Sequence, residues 1–178
     1  MKTLKLDEKQ AVKLYPNAAP EFKALLESNF GIDLFNKKIT DRIKNMSDVF
    51  EVLGIDEDEF DNDREYRAEK MSELAKKLGM NDDDISDNEP CFLIRDFYVY
   101  ALAYVLNEGW NPDYSNTNER KWYPYFSLSS GFAFYDSTCG YDGVSASSGF
   151  RLCFKSEELS NYAGKNFTKY FKKYIINK

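Results

Sequence analysis

Between Trp122 and Phe150 the chain gathers flat aromatic side chains able to stack on a base, a sugar ring or a protein surface. They are interleaved with Ser127, Ser129, Ser130, Ser137, Ser145, Ser147 and Ser148, whose hydroxyls both donate and accept hydrogen bonds. Lys121 and Arg151 stand at the two ends as groups for an anion. The mixture is close to the chemistry of paratopes, where rigid aromatics give contact area at low entropic cost. Trp122, Tyr123, Tyr125, Phe126, Ser129, Tyr135, Tyr141 and Arg151 are the candidate binding residues. On strands of period two only alternate aromatics face a core, and the segment carries too many large rings for all of them to turn inward.

Bond-making chemistry finds less support. The chain has no histidine. That removes zinc hydrolases, histidine-containing triads and histidine phosphotransfer, since no other side chain titrates near neutrality unperturbed. Cys91, Cys139 and Cys153 are widely spaced and form no CxxC pair, so they read as free thiols of a reducing cytosol rather than as a redox or zinc site. Cys139 lies in a glycine-rich loop but has no imidazole to activate it, and Cys153 alternates with Leu152 and Phe154 as a core residue would. The acidic run Asp56–Asp63 offers oxygen ligands, yet counting from Asp61 puts Tyr66 where an EF-hand needs glycine and Ser72 where it needs glutamate. Asp136 and Asp142, flanking Cys139, are the best candidates for a carboxylate pair, and nothing in the sequence marks them as buried partners. Neither GxxxxGK[ST] nor GxGxxG occurs. No catalytic residue, metal ligand or cofactor is assigned, and a non-enzymatic role is expected.

Composition agrees. Among 178 residues the net charge is −6, which disfavours an extended nucleic-acid partner because phosphate tracking needs an excess of clustered Lys and Arg; a local basic patch remains open. The 14 Phe, 13 Tyr and 2 Trp make 16% of the chain, ample for a folded core. No secretory signal opens the sequence, and the longest apolar run, Phe97–Leu106, is too short to span a bilayer, so no membrane association is expected.

The elements that must carry these residues predict an α+β fold. Short helices fill the first third: Asp7 caps one that ends at Pro16, Pro20 opens one that stops at Gly31, and Thr40 and Ser47 are N-cap candidates for two more before Gly54. After an acidic loop, Arg64–Leu78 reads as a scaffold helix closed by Gly79. A second acidic loop, Asn81–Pro90, precedes a helix from Pro90 to Asn107, apolar on nearly every face and therefore central. Trp110–Arg120 is a loop of turn formers. Three short strands, 122–126, 132–135 and 150–154, form a small antiparallel sheet, packed by one amphipathic helix that Ser156 caps and Lys169, Lys172 and Lys173 end. The division is a helical part, 1–109, and a β-plus-helix part, 110–178, sharing one core.

The stretches NEGWNPDYSNTNERKWYPYF (Asn107–Phe126), SGFRLCFKSEELSNYAGKNF (Ser148–Phe167) and KITDRIKNMSDVFEVLGI (Lys38–Ile55) resemble a group of short uncharacterised proteins encoded by gut Bacteroidales bacteria and by their phages and prophages. The resemblance spans most of the chain and carries over no catalytic residue. It implies a phage or mobile-element context, in the bacterial cytoplasm or in a virion. There the aromatic segment would hold a protein partner. The alternative is an anti-defence protein that sequesters or cleaves a small nucleotide, and a further one is a lectin-like module. An oligomer is compatible with all three.

Overall fold

A computed structural model describes residues 6–79, 90–129, 131–140 and 152–176. The fold is α+β, and the chain forms two compact units, Met1–Arg42 and Ile43–Lys178.

The first unit is helical. Helix α1 (Glu8–Leu14) begins with a capping box: the Asp7 carboxylate accepts from the Gln10 amide and the Gln10 side chain accepts from the Asp7 amide. A short 3-10 turn through Pro16 leads to α2 (Pro20–Phe30), opened by its proline and ended at Gly31. Helices α3 (Ile32–Phe35) and α4 (Ile39–Arg42) complete the unit. Among its described residues, Ala11, Leu26 and Ile39 are the buried apolar positions.

The second unit holds the aromatic segment. Helix α5 (Met46–Leu53) is capped by Asn45 through a second capping box with Asp48, so Ser47 lies inside the first turn and Thr40 inside α4. Both residues are polar and short enough to cap, but the Asn45 side chain reaches the Asp48 amide and takes that role. The acidic run is no loop: Asp56 caps α6 (Glu57–Asn62) and Asp63 caps α7 (Arg64–Lys77). Carboxylates suit a helix N-terminus, where they accept from unpaired amides and meet the positive end of the dipole. The second acidic stretch, 81–89, lies outside the described residues.

Helix α8 (Pro90–Leu106) is the axis of this unit. Val99, Ala101, Leu102 and Leu106 are fully buried, and its Phe97 and Tyr98 join Phe50 of α5 and Phe60 of α6 in an aromatic cluster with ring centroids 4.7–6.3 Å apart. Tyr98 also stacks on Tyr170 at 5.4 Å. At the C-terminal end of α8, buried Asn107 donates to the Cys153 carbonyl at 2.8 Å and accepts from the Lys155 amide at 2.9 Å.

The sheet has two strands, β1 (Lys121–Ser127) and β2 (Ala133–Gly140), paired antiparallel. Of the third expected strand, the described residues show one bridge, Trp122 with Phe154, closed by hydrogen bonds of 3.0 and 2.8 Å; Phe150 and Arg151 lie outside them. Asn107 takes the Cys153 carbonyl and the Lys155 amide, which point away from β1, so the segment is docked on the end of α8 by its far edge. On the near edge the next rung of the ladder would need an N–H at Pro124, which has none. The single C-terminal helix expected is two, α9 (Glu157–Asn166) and α10 (Thr168–Ile175), broken at Phe167. The Thr168 hydroxyl and the Asn166 amide bond back to the carbonyls of Gly164 and Tyr162, diverting groups that a continuous helix would use. Ser156 caps α9 as expected.

Candidate binding surface

Strand alternation sorts the aromatic segment into an inner and an outer face. Trp122, Pro124 and Phe126 of β1 share the inner face with Cys139, Ser137 and Phe134 of β2, and α9 covers it. The Ser137 hydroxyl donates to that of fully buried Ser160 on α9 at 2.7 Å. Phe126 stacks on Phe132 at 4.7 Å and lies 5.1 Å from Phe171 of α10. Phe132 is held at φ 65 just after the β-turn, a left-handed conformation uncommon for a bulky residue, and its buried stack on Phe126 is the contact that holds it there.

The outer face has two ends. At one end the 110–120 loop folds over it. Asp113 accepts from the Ser115 amide and hydroxyl, Asn116 from the Asn118 amide, and Glu119 from the Asp113 amide, so the turn formers staple the loop to itself. Beneath it, Lys121 is 1% exposed. Its ammonium donates to the Asn116 and Glu119 carbonyls at 3.4 and 3.2 Å, pairs with the Glu119 carboxylate at 3.2 Å, and lies over the Tyr114 ring at 5.3 Å. Lys121 is therefore no anion site; every donor faces a group of the protein. The Tyr114 hydroxyl lies 3.7 Å from the Cys153 sulfur. Burial, together with the neighbouring thiol, pushes the Tyr114 and Tyr123 phenols up, and burial pushes the Cys153 thiol up to about 11. These groups stay neutral near pH 7, and a neutral buried thiol is no nucleophile.

At the other end, among the described residues, the sheet is bare. Tyr125 pairs with Asp136 and Phe126 with Phe134, so β2 carries one extra residue between them, Tyr135, in a bulge. The bulge turns Tyr135 outward beside Tyr125: the two rings meet edge to face at 6.1 Å and remain 73% and 57% exposed. Leu128 at the turn is 68% exposed, and Asp136, Thr138 and Ser129 are exposed too. The Ser129 hydroxyl shares a 2.7 Å hydrogen bond with that of Ser127.

Of the residues singled out from sequence, Tyr125, Tyr135 and Ser129 thus come together at the bare end. Trp122 is half-buried on the inner face, Phe126 is spent on packing there, and Tyr123 is half-buried beside the cluster under the 110–120 loop. Tyr141 and Arg151 lie outside the described residues, as does Asp142; Asp136 is exposed. Two participants escaped the sequence reading. Tyr114 sat among turn formers, and Leu128 was hidden between serines, although an apolar residue inside a polar turn is itself the signal.

Among the described residues no three acidic or cysteine side chains converge on a point that could hold a metal ion, and no helix is long and apolar enough to cross a membrane. Cys153 is a free thiol. No family model matches the chain, and no curated protein or solved structure matches it.

Proposed function

We propose that this is a non-enzymatic accessory protein of a phage or mobile element, which binds a protein partner through the bare end of the β1–β2 hairpin. The observation that carries this is the Tyr125–Tyr135 pair: two large rings held edge to face by a bulge and left in water, with Leu128 close by in the chain. A bulge that turns a ring out of the sheet spends ladder hydrogen bonds on exposure, which favours a surface that meets something. Tyrosine anchors of this kind dominate protein contacts, since they bury much area and lose few rotamers. Asp136, Thr138 and Ser129 supply polar groups for the rim. The neutral Tyr114, Tyr123 and Cys153 cluster and the committed Lys121 favour binding over catalysis.

The test places a photo-activated cross-linking residue at position 125, 135 or 69 in cells that carry the native element. Glu69, on α7 and 63% exposed, is the control. One and the same partner should be captured from 125 and 135 and not from 69, and Leu128→Asp should abolish the capture. Equal capture from 69, or none from 125 and 135, overturns the assignment.

A further inference from the structure

Two helices of the second unit carry opposite charge and flank the same ring. Helix α6 and its caps expose Asp56, Glu57, Asp58, Glu59, Asp61 and Asp63, and one cation lies against them, Arg67 of α7, which donates to the Phe60 and Asp61 carbonyls at 2.7 and 3.0 Å. Helix α10 exposes Lys169, Lys172 and Lys173, which the 3.6-residue repeat sets on the side away from buried Phe171, with the Lys169 ammonium 4.7 Å from the centre of the half-buried Tyr170 ring. Both helices border one half-buried ring, Tyr98 of α8. Its centroid lies 6.2 Å from that of Phe60 on α6 and 5.4 Å from that of Tyr170 on α10. Asp61 and Glu57 are near enough to act electrostatically on the same phenol, with Arg67 acting against them. Among the described residues no ion pair joins these lysines to the α6 carboxylates.

We propose that this face is a contact between two copies of the chain, related by a two-fold axis running along the boundary between α6 and α10. A surface with one negative and one positive strip side by side is self-complementary under that operation, which closes at two copies: the rotation lays each copy's α6 on the other's α10. Tyr98 and Tyr170 then form the flat, partly apolar centre and the charges form the rim. A nucleic acid fits this face worse than a second copy does. Phosphates following the three lysines would run beside the α6 carboxylates, where like charges repel. Because rim charges set specificity and encounter rate more than affinity, the dimer is weak and sensitive to salt.

Sedimentation of the full chain tests this. At about 0.1 M salt, where screening extends ~10 Å, the mass should rise with concentration from 20.7 kDa toward twice that value, and fall back at 1 M salt, where it extends ~3 Å. Lys169→Glu with Lys173→Glu should hold the chain monomeric, and so should Glu57→Lys with Asp61→Lys. An equimolar mixture of the two variants should restore a dimer containing one of each, provided both keep the wild-type circular dichroism. A wild type that stays monomeric throughout, a dimer indifferent to salt and to both variants, or folded variants that fail to rescue each other overturns the proposal. So does a monomer whose α10 lysines instead retard a single-stranded oligonucleotide.

Discussion

Gly164 of α9 lies so close to Phe134 of β2 that a Cβ on it would stand 2.1 Å from the ring's Cδ2 and 2.3 Å from its Cε2. Glycine inside a helix costs about 0.5–1 kcal/mol relative to alanine in backbone entropy, so its presence here is a packing choice. It lets the helix sit directly on the inner face of the sheet, with Ser160, one turn earlier, bonded to Ser137.

The Gly164→Ala variant should therefore lose stability despite its better helix propensity. Overpacking of this kind costs about 1–3 kcal/mol. Urea unfolding followed by circular dichroism reads the change, and the double variant with Phe134→Leu should recover part of it.

Asn107→Ala should be destabilising by about 2 kcal/mol or more, since the Cys153 carbonyl and the Lys155 amide each lose a partner at about 1–3 kcal/mol for a buried group. Amide hydrogen exchange should show lost protection at Lys155 and Phe154 before the helices are affected.

Tyr125→Ala and Tyr135→Ala, in contrast, should each cost under about 1 kcal/mol, because the rings are exposed and forfeit mainly one edge-to-face contact. Cross-linking to the partner should nevertheless be lost. A large drop in melting temperature for either variant would mean that the pair serves the fold.

Stability should fall in alkali. Burial raises the folded-state pKa of Cys153 from 9.0 to about 11 and that of Tyr98 from 10.0 to about 12. Raised acids favour the neutral form in the folded state, so their contribution is full below the unfolded values and is lost as pH rises through the folded ones. Urea midpoints should hold to about pH 9 and decline from there toward pH 12, and Cys153→Ala should soften the early part of that decline.

What the sequence by itself determined was local. Caps, prolines and glycines placed α1, α2, α7, α8 and the start of α9, because a helix terminus is satisfied by side chains within three or four residues of it. The aromatic-rich strands were legible from their residue types, and so was the excess of rings over inward positions. Tertiary structure decided which rings are outside. A one-residue bulge opposite the Tyr125–Phe126 step reverses the alternation that period two would impose, and no composition marks it. The closure of the 110–120 loop likewise settled Lys121, whose charge suggested an anion site until the Glu119 carboxylate and the loop carbonyls beside it in the chain enclosed it. A long-range partner, Asn107, more than forty residues away in the chain, holds the 153–155 segment by the edge that faces away from β1, where among the described residues the segment makes one bridge. Hydrogen bonds over that separation depend on which surfaces meet, and that information appears only once the helices have packed.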